Sequence, residues 1–79
     1  MKLRHSVRAF ERDTGEQAYS VEIPDDRAEQ LSEIMAWETP EDAIYEYRLT
    51  PEQISAMEQL TGKSFRDPAH TYVLSCSAA

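Results

Sequence analysis

Nucleophilic or metal chemistry in this 79-residue chain would have to draw on His5, Asp67, His70 and Cys76. No CxxC or HxxxH spacing joins them, and the two histidines fall on different predicted strands, so ordinary strand and loop positions are the simpler reading. Glu29 and Glu33 share one helical face and could in principle do acid–base work. That chemistry needs neighbours that drive two carboxyl pKa values apart in a cleft, and this pair belongs to the outer, solvated side of its helix. Two glycines, Gly15 and Gly62, are too few for a phosphate-cradling loop. The expectation is a protein without catalytic residues, metal ligands or a cofactor.

Charge is the stronger signal. Residues 22–46 carry Glu22, Asp25, Asp26, Glu29, Glu33, Glu38, Glu41, Asp42 and Glu46 against Arg27 alone, nine acids and one base for a net of −8. The remaining residues hold six acids and seven bases, a net of +1. Direct nucleic-acid binding needs clustered Lys and Arg that release counterions, so nucleic acid is a poor ligand and a basic protein a better one. A solvated face is the bland use of such a run, but charges of one sign in a single segment repel one another. The residues expected to meet a partner are Asp26, Glu29, Glu33, Trp37, Glu38, Glu41, Asp42 and Glu46.

The elements that must position these groups follow from periodicity. Leu3, Val7 and Ala9 alternate with Arg4, Arg8 and Phe10, Asp13-Thr14-Gly15 supplies turn chemistry, and Tyr19, Val21 and Ile23 alternate again, which reads as a β-hairpin. Asp26 and Glu29 resemble the cap of a helix of about 12 residues. Its apolar stripe is Ala28, Leu31, Ile34 and Met35. Thr39-Pro40 breaks that helix, and Trp37 either continues onto its acidic side or folds back over the core. Ala43, Tyr45, Tyr47 and Leu49 then alternate as a third strand, with both tyrosines inward.

Thr50-Pro51-Glu52-Gln53 is the clearest local signal, a capping box with Pro in the first helical position and Leu49 and Ile54 placed as a hydrophobic staple. Gly62 closes that second helix, Phe65 tucks under the loop that follows, and His70 to Cys76 form a last strand with Tyr72 and Leu74 on one face. The order is ββαβαβ. It implies a single α+β domain over residues 1–79, with a four-stranded, mainly antiparallel sheet and both helices on one face. The opposite face carries Lys2, Arg4, Arg8, Arg12 and Phe10, which either pair with acids such as Glu22 and Glu46 on neighbouring strands or meet a second subunit.

The segments RAFERDTGEQAYSVEIP, YEYRLTPEQISAMEQLTGKSF and TYVLSC together resemble a family of small bacterial proteins of unassigned function. The resemblance implies the same hairpin, LTPEQ helix start and aromatic last strand. In size and charge the chain is also similar to immunity proteins that neutralise bacterial toxins and to phage anti-CRISPR inhibitors. With one cysteine, no apolar leader and no membrane-length run, the expected setting is the cytoplasm, with no membrane partner. The expected function is a non-enzymatic acidic inhibitor or immunity-type protein that blocks a basic, nucleic-acid-handling partner. The alternative is a homodimeric structural or regulatory module joined through the open sheet face.

Overall fold

A computed structural model describes residues 3–78. Strand β1 (Leu3–Glu11) turns through Gly15, whose φ of 74° suits a residue without a side chain, into β2 (Gln17–Glu22). A 3₁₀ turn (Asp25–Arg27) leads into α1 (Ala28–Met35), and a second 3₁₀ turn (Pro40–Ile44) leads into a two-residue strand β3 (Tyr47–Arg48). Helix α2 (Pro51–Thr61) and strand β4 (His70–Ala78) complete the ββαβαβ order. The sheet runs β2-β1-β4-β3, and every pairing is antiparallel. It is the expected α+β architecture, with the first and last long strands side by side at its centre.

Register decides which residues meet the helices. Val7 lies opposite both Val21 and Leu74, and Ala9 opposite both Tyr19 and Tyr72, so one face carries a continuous apolar band across three strands. Leu31 of α1 and Ile54 and Met57 of α2 are buried in the same cluster as Val7, Ala9, Tyr72 and Leu74, which places both helices on that face. The start of α2 is built as its sequence demands: Thr50 Oγ1 accepts from Gln53 N at 3.2 Å while Gln53 Oε1 accepts from Thr50 N at 2.9 Å. Leu49 and Ile54, on either side of that cap, are both buried.

The stretch between the helices departs from the periodic reading. Of the expected third strand over residues 43–49, Ala43 and Ile44 belong to the 3₁₀ turn, Tyr45 and Glu46 are irregular, and only Tyr47 and Arg48 pair with β4. Thr39 and Asp42 form a second capping box there, which sets a helical course before the alternating residues can extend. Tyr45, expected inside, is 58% exposed, and its neighbour Ile44 is 53% exposed, whereas Tyr47 does pack on the core. Helix α1 is also shorter than expected. Asp26 makes no side-chain cap, because residues 25–27 wind as 3₁₀ and the α-helix proper begins at Ala28.

Ala36 ends α1 in the left-handed conformation at φ 56°. Its N–H donates to Glu33 O at 3.2 Å and the N–H of Trp37 donates to Ser32 O at 3.1 Å, the paired bonds of a Schellman turn. This turn decides between the two courses open to Trp37. The indole folds back against the core, 5.4 Å from the His5 ring and 5.9 Å from that of Tyr47, measured between centroids.

Candidate functional site: an acidic surface bordering an apolar groove

Asp26, Glu29, Glu33, Glu38, Glu41 and Glu46 are all exposed, and among the described residues none of their side chains pairs with a cation or accepts a hydrogen bond. At about 100° per residue, Glu29 and Glu33 project from one side of α1, next to the stripe of Ala28 and Ser32. Glu38 and Glu41 continue the acidic surface across the loop and turn that follow. The helix of eight residues is about 12 Å long rather than the 18 Å expected, so the carboxylates are spread over a helix, a loop and a turn.

Asp42 has a different task. Its Oδ2 accepts from Glu38 N at 3.0 Å and Thr39 N at 3.3 Å, and these bonds hold its carboxyl below the usual carboxylate range. It builds the acidic turn, with its charge already engaged by the chain itself. Tyr47 adds a second tie by donating its hydroxyl to Asp42 O at 2.6 Å.

A third tie comes from the sheet. His5 Nε2 lies 2.9 Å from Ala43 O, and since a carbonyl only accepts, Nε2 carries the proton. His5 is also the direct cross-strand partner of Cys76, a juxtaposition of imidazole and thiol that sequence spacing does not reveal. Burial pushes the Cys76 thiol up, opposite to the lowering that activates a nucleophilic thiolate. With its Nε2 committed to Ala43, His5 anchors the turn.

The other histidine sits at the far end of the sheet in a tyrosine cluster. Tyr19 and Tyr72 both donate to Phe65 O, at 2.8 and 2.6 Å, and Tyr72 Oη accepts from Asp67 N at 2.8 Å. Burial, then the Tyr72 hydroxyl, raises the Tyr19 pKa. His70 stacks edge-on to both rings and faces Asp67 Oδ2 at 3.7 Å. Glu58 completes the cluster by accepting from Arg66 N at 3.0 Å and Phe65 N at 2.8 Å, which hold its carboxyl below the usual range. These bonds fasten the loop of residues 62–69 to α2 and β4, as the position of Phe65 in the sequence implies.

A groove of about 600 Å³ lies beside the acidic surface, between the start of β1, the end of β2, α1 and the Trp37 loop. Its floor is apolar, formed by Leu3, Ile23, Leu31 and Trp37, while Asp25 and Glu38 stand among its lining residues. Trp37 and Glu38, two of the residues expected to meet a partner, are among its lining residues, but the groove itself was not foreseen. Its walls come from four separated segments, and no local pattern encodes their meeting. Among the described residues no group of three or more His, Cys, Asp or Glu side chains could hold a metal ion.

On the opposite sheet face Arg8 and Arg48 both lie beside Val73, one on each side. The cross-strand ion pairs expected there are not formed among the described residues: Glu22 lies opposite Ser6, and Arg4, Arg8 and Arg48 make no carboxylate contact within 4.0 Å. Lys2 lies outside the described residues.

Fold and surface together define a small acidic α+β domain of ββαβαβ order. Residues 4–75 match a family described as a domain of unknown function, DUF7683, and the chain belongs to that family. This agrees with the resemblance to a family of unassigned function. No curated protein and no solved structure matches the chain. Among the described residues no helix is long and apolar enough to cross a membrane.

Proposed function

We propose that this protein is a non-enzymatic acidic binding module that blocks a basic partner through the surface of α1 and the turn that follows it. The observation that carries the reading is the set of six exposed carboxylates, Asp26, Glu29, Glu33, Glu38, Glu41 and Glu46, without cationic partners among the described residues. Their mutual repulsion works against the stability of a 79-residue domain, and a cationic surface that neutralised them would offset it. Carboxylates spaced along a helix and a loop suit a cleft built for phosphates, so a nucleic-acid-handling protein such as a toxin nuclease or a CRISPR effector is the proposed partner class. Steering by opposite charge would make its capture fast and salt-sensitive.

Replacement of Glu29, Glu33 and Glu41 by Lys tests the reading, because these exposed side chains make no hydrogen bond or ion pair among the described residues. Partner capture should be lost while the unfolding midpoint stays level or rises. Capture equal to that of the unmodified protein would remove the reading.

A second reading rests on Arg4, Arg8 and Arg48, which face solvent without carboxylate partners among the described residues. In it the open sheet face joins two copies of the chain. Sedimentation at high concentration would then give twice the monomer mass, reverting to monomer in an Arg8→Glu, Arg48→Glu variant. A strictly monomeric protein contradicts it.

A further inference from the structure

We infer that the groove between α1 and the Trp37 loop is a docking cleft for one apolar side chain of a cationic peptide segment, supplied by the basic partner. The inference rests on the reading of the acidic surface given above and adds what that surface lacks, a place for a directional anchor.

Two observations converge. At about 600 Å³ the cavity falls within the roughly 300–1,000 Å³ range of cavities that hold ligands, and the buried side chain of Leu31 forms part of its floor. Its border is acidic: Glu38 belongs to the lining, and Glu29 and Glu33 stand on the turns of α1 next to Ala28 and Ser32, which face the groove. An apolar floor with an acidic border is complementary to a leucine-like side chain flanked by lysine or arginine, and an acidic peptide would be repelled from it. Trp37 lines the same groove, with its ring packed on the core.

The geometry also explains why the wall is firm. The Schellman turn at Ala36 fixes the entry of Trp37, the His5 ring packs at a tilt against the indole, and the His5 to Ala43 bond holds the next segment down. A cleft held in shape before the partner arrives loses less conformational entropy on binding than a loop that must order itself.

Trp37 is the only tryptophan, so its fluorescence reports on the groove directly. The probe is an acetylated, amidated pentapeptide with a central leucine and two lysines on each side. The same peptide with a central serine, and one with glutamates in place of the lysines, serve as controls. The leucine–lysine peptide should shift Trp37 emission saturably and bind at least about tenfold more tightly than the serine peptide. The glutamate peptide should not bind. Ala28→Phe, at an exposed helix position on the groove wall, should abolish the preference for leucine while leaving the unfolding midpoint near that of the unmodified protein.

Equal affinity for the leucine and serine peptides, or an Ala28→Phe variant that binds as before, overturns the groove assignment. If that equal affinity also disappears on charge reversal at Glu29, Glu33 and Glu41, the acidic surface remains a binding surface and only the cleft is lost. No lysine dependence at all would remove both.

Discussion

His5 Nε2 donates to the carbonyl of Ala43, 2.9 Å away and 38 residues later in the chain. This bond joins the first residues of the central strand to the acidic turn. It holds in place a segment that otherwise has little regular structure, since β3 contributes only two residues to the sheet.

His5→Phe keeps a ring against Trp37 and leaves Ala43 O without its donor, so it should cost about 1 kcal/mol. His5→Ala removes the ring as well and should cost about 2–3 kcal/mol. Urea titration followed by Trp37 emission measures both, and equal losses would show that the hydrogen bond contributes and the stacking does not.

Ala36 adopts φ 56°, where an L-residue with a side chain is strained by about 1–2 kcal/mol. Ala36→Gly removes that strain at some gain in unfolded-chain entropy, and a net stabilisation of about 0.5–1 kcal/mol is expected. Thermal unfolding tests it. A lowered midpoint would mean that the methyl group has a packing role outweighing the strain.

The 3₁₀ turn after Trp37 shows how far local patterns reach. Thr50-Pro51-Glu52-Gln53 and Thr39-Pro40-Glu41-Asp42 are nearly the same four residues, and both form capping boxes. The first is followed by Ile54, Met57 and Leu60 at helical spacing and runs on for eleven residues. The second is followed by alternating Ala43, Tyr45 and Tyr47, so cap and pattern disagree, and the outcome is one 3₁₀ turn with Tyr45 left outside. The hairpin and α2 were legible because turn residue or cap agrees with the period in each, whereas α1 was legible from its apolar stripe alone, since the cap expected at Asp26 is not formed. The groove was not legible, because its walls meet only through tertiary packing.

Glu58 receives two backbone N–H groups, from Arg66 and Phe65, and its carboxyl is held below the ordinary carboxylate range. A group depressed in the folded state contributes stability that is fully present above its unfolded pKa and is lost as the pH falls through its folded one. The loop of residues 62–69 should therefore loosen on acidification below the ordinary carboxylate range. Glu58→Gln should destabilise the protein near neutral pH and flatten the acid limb of the stability curve. Asp42 is depressed by its bonds from Glu38 and Thr39 N–H and acts in the same direction on the acidic turn. Unfolding midpoints measured across acidic pH for the Glu58→Gln variant and the unmodified chain decide this. Parallel curves would contradict it.

The central claim is that the exposed carboxylates of the α1 surface capture a basic partner. It is tested most directly by retention on the immobilised protein at low and at high salt, beside the Glu29→Lys, Glu33→Lys, Glu41→Lys variant. The account predicts a basic protein retained by the unmodified chain at low salt, released at high salt and never held by the variant. A partner retained equally by both proteins and at both salt concentrations would contradict it.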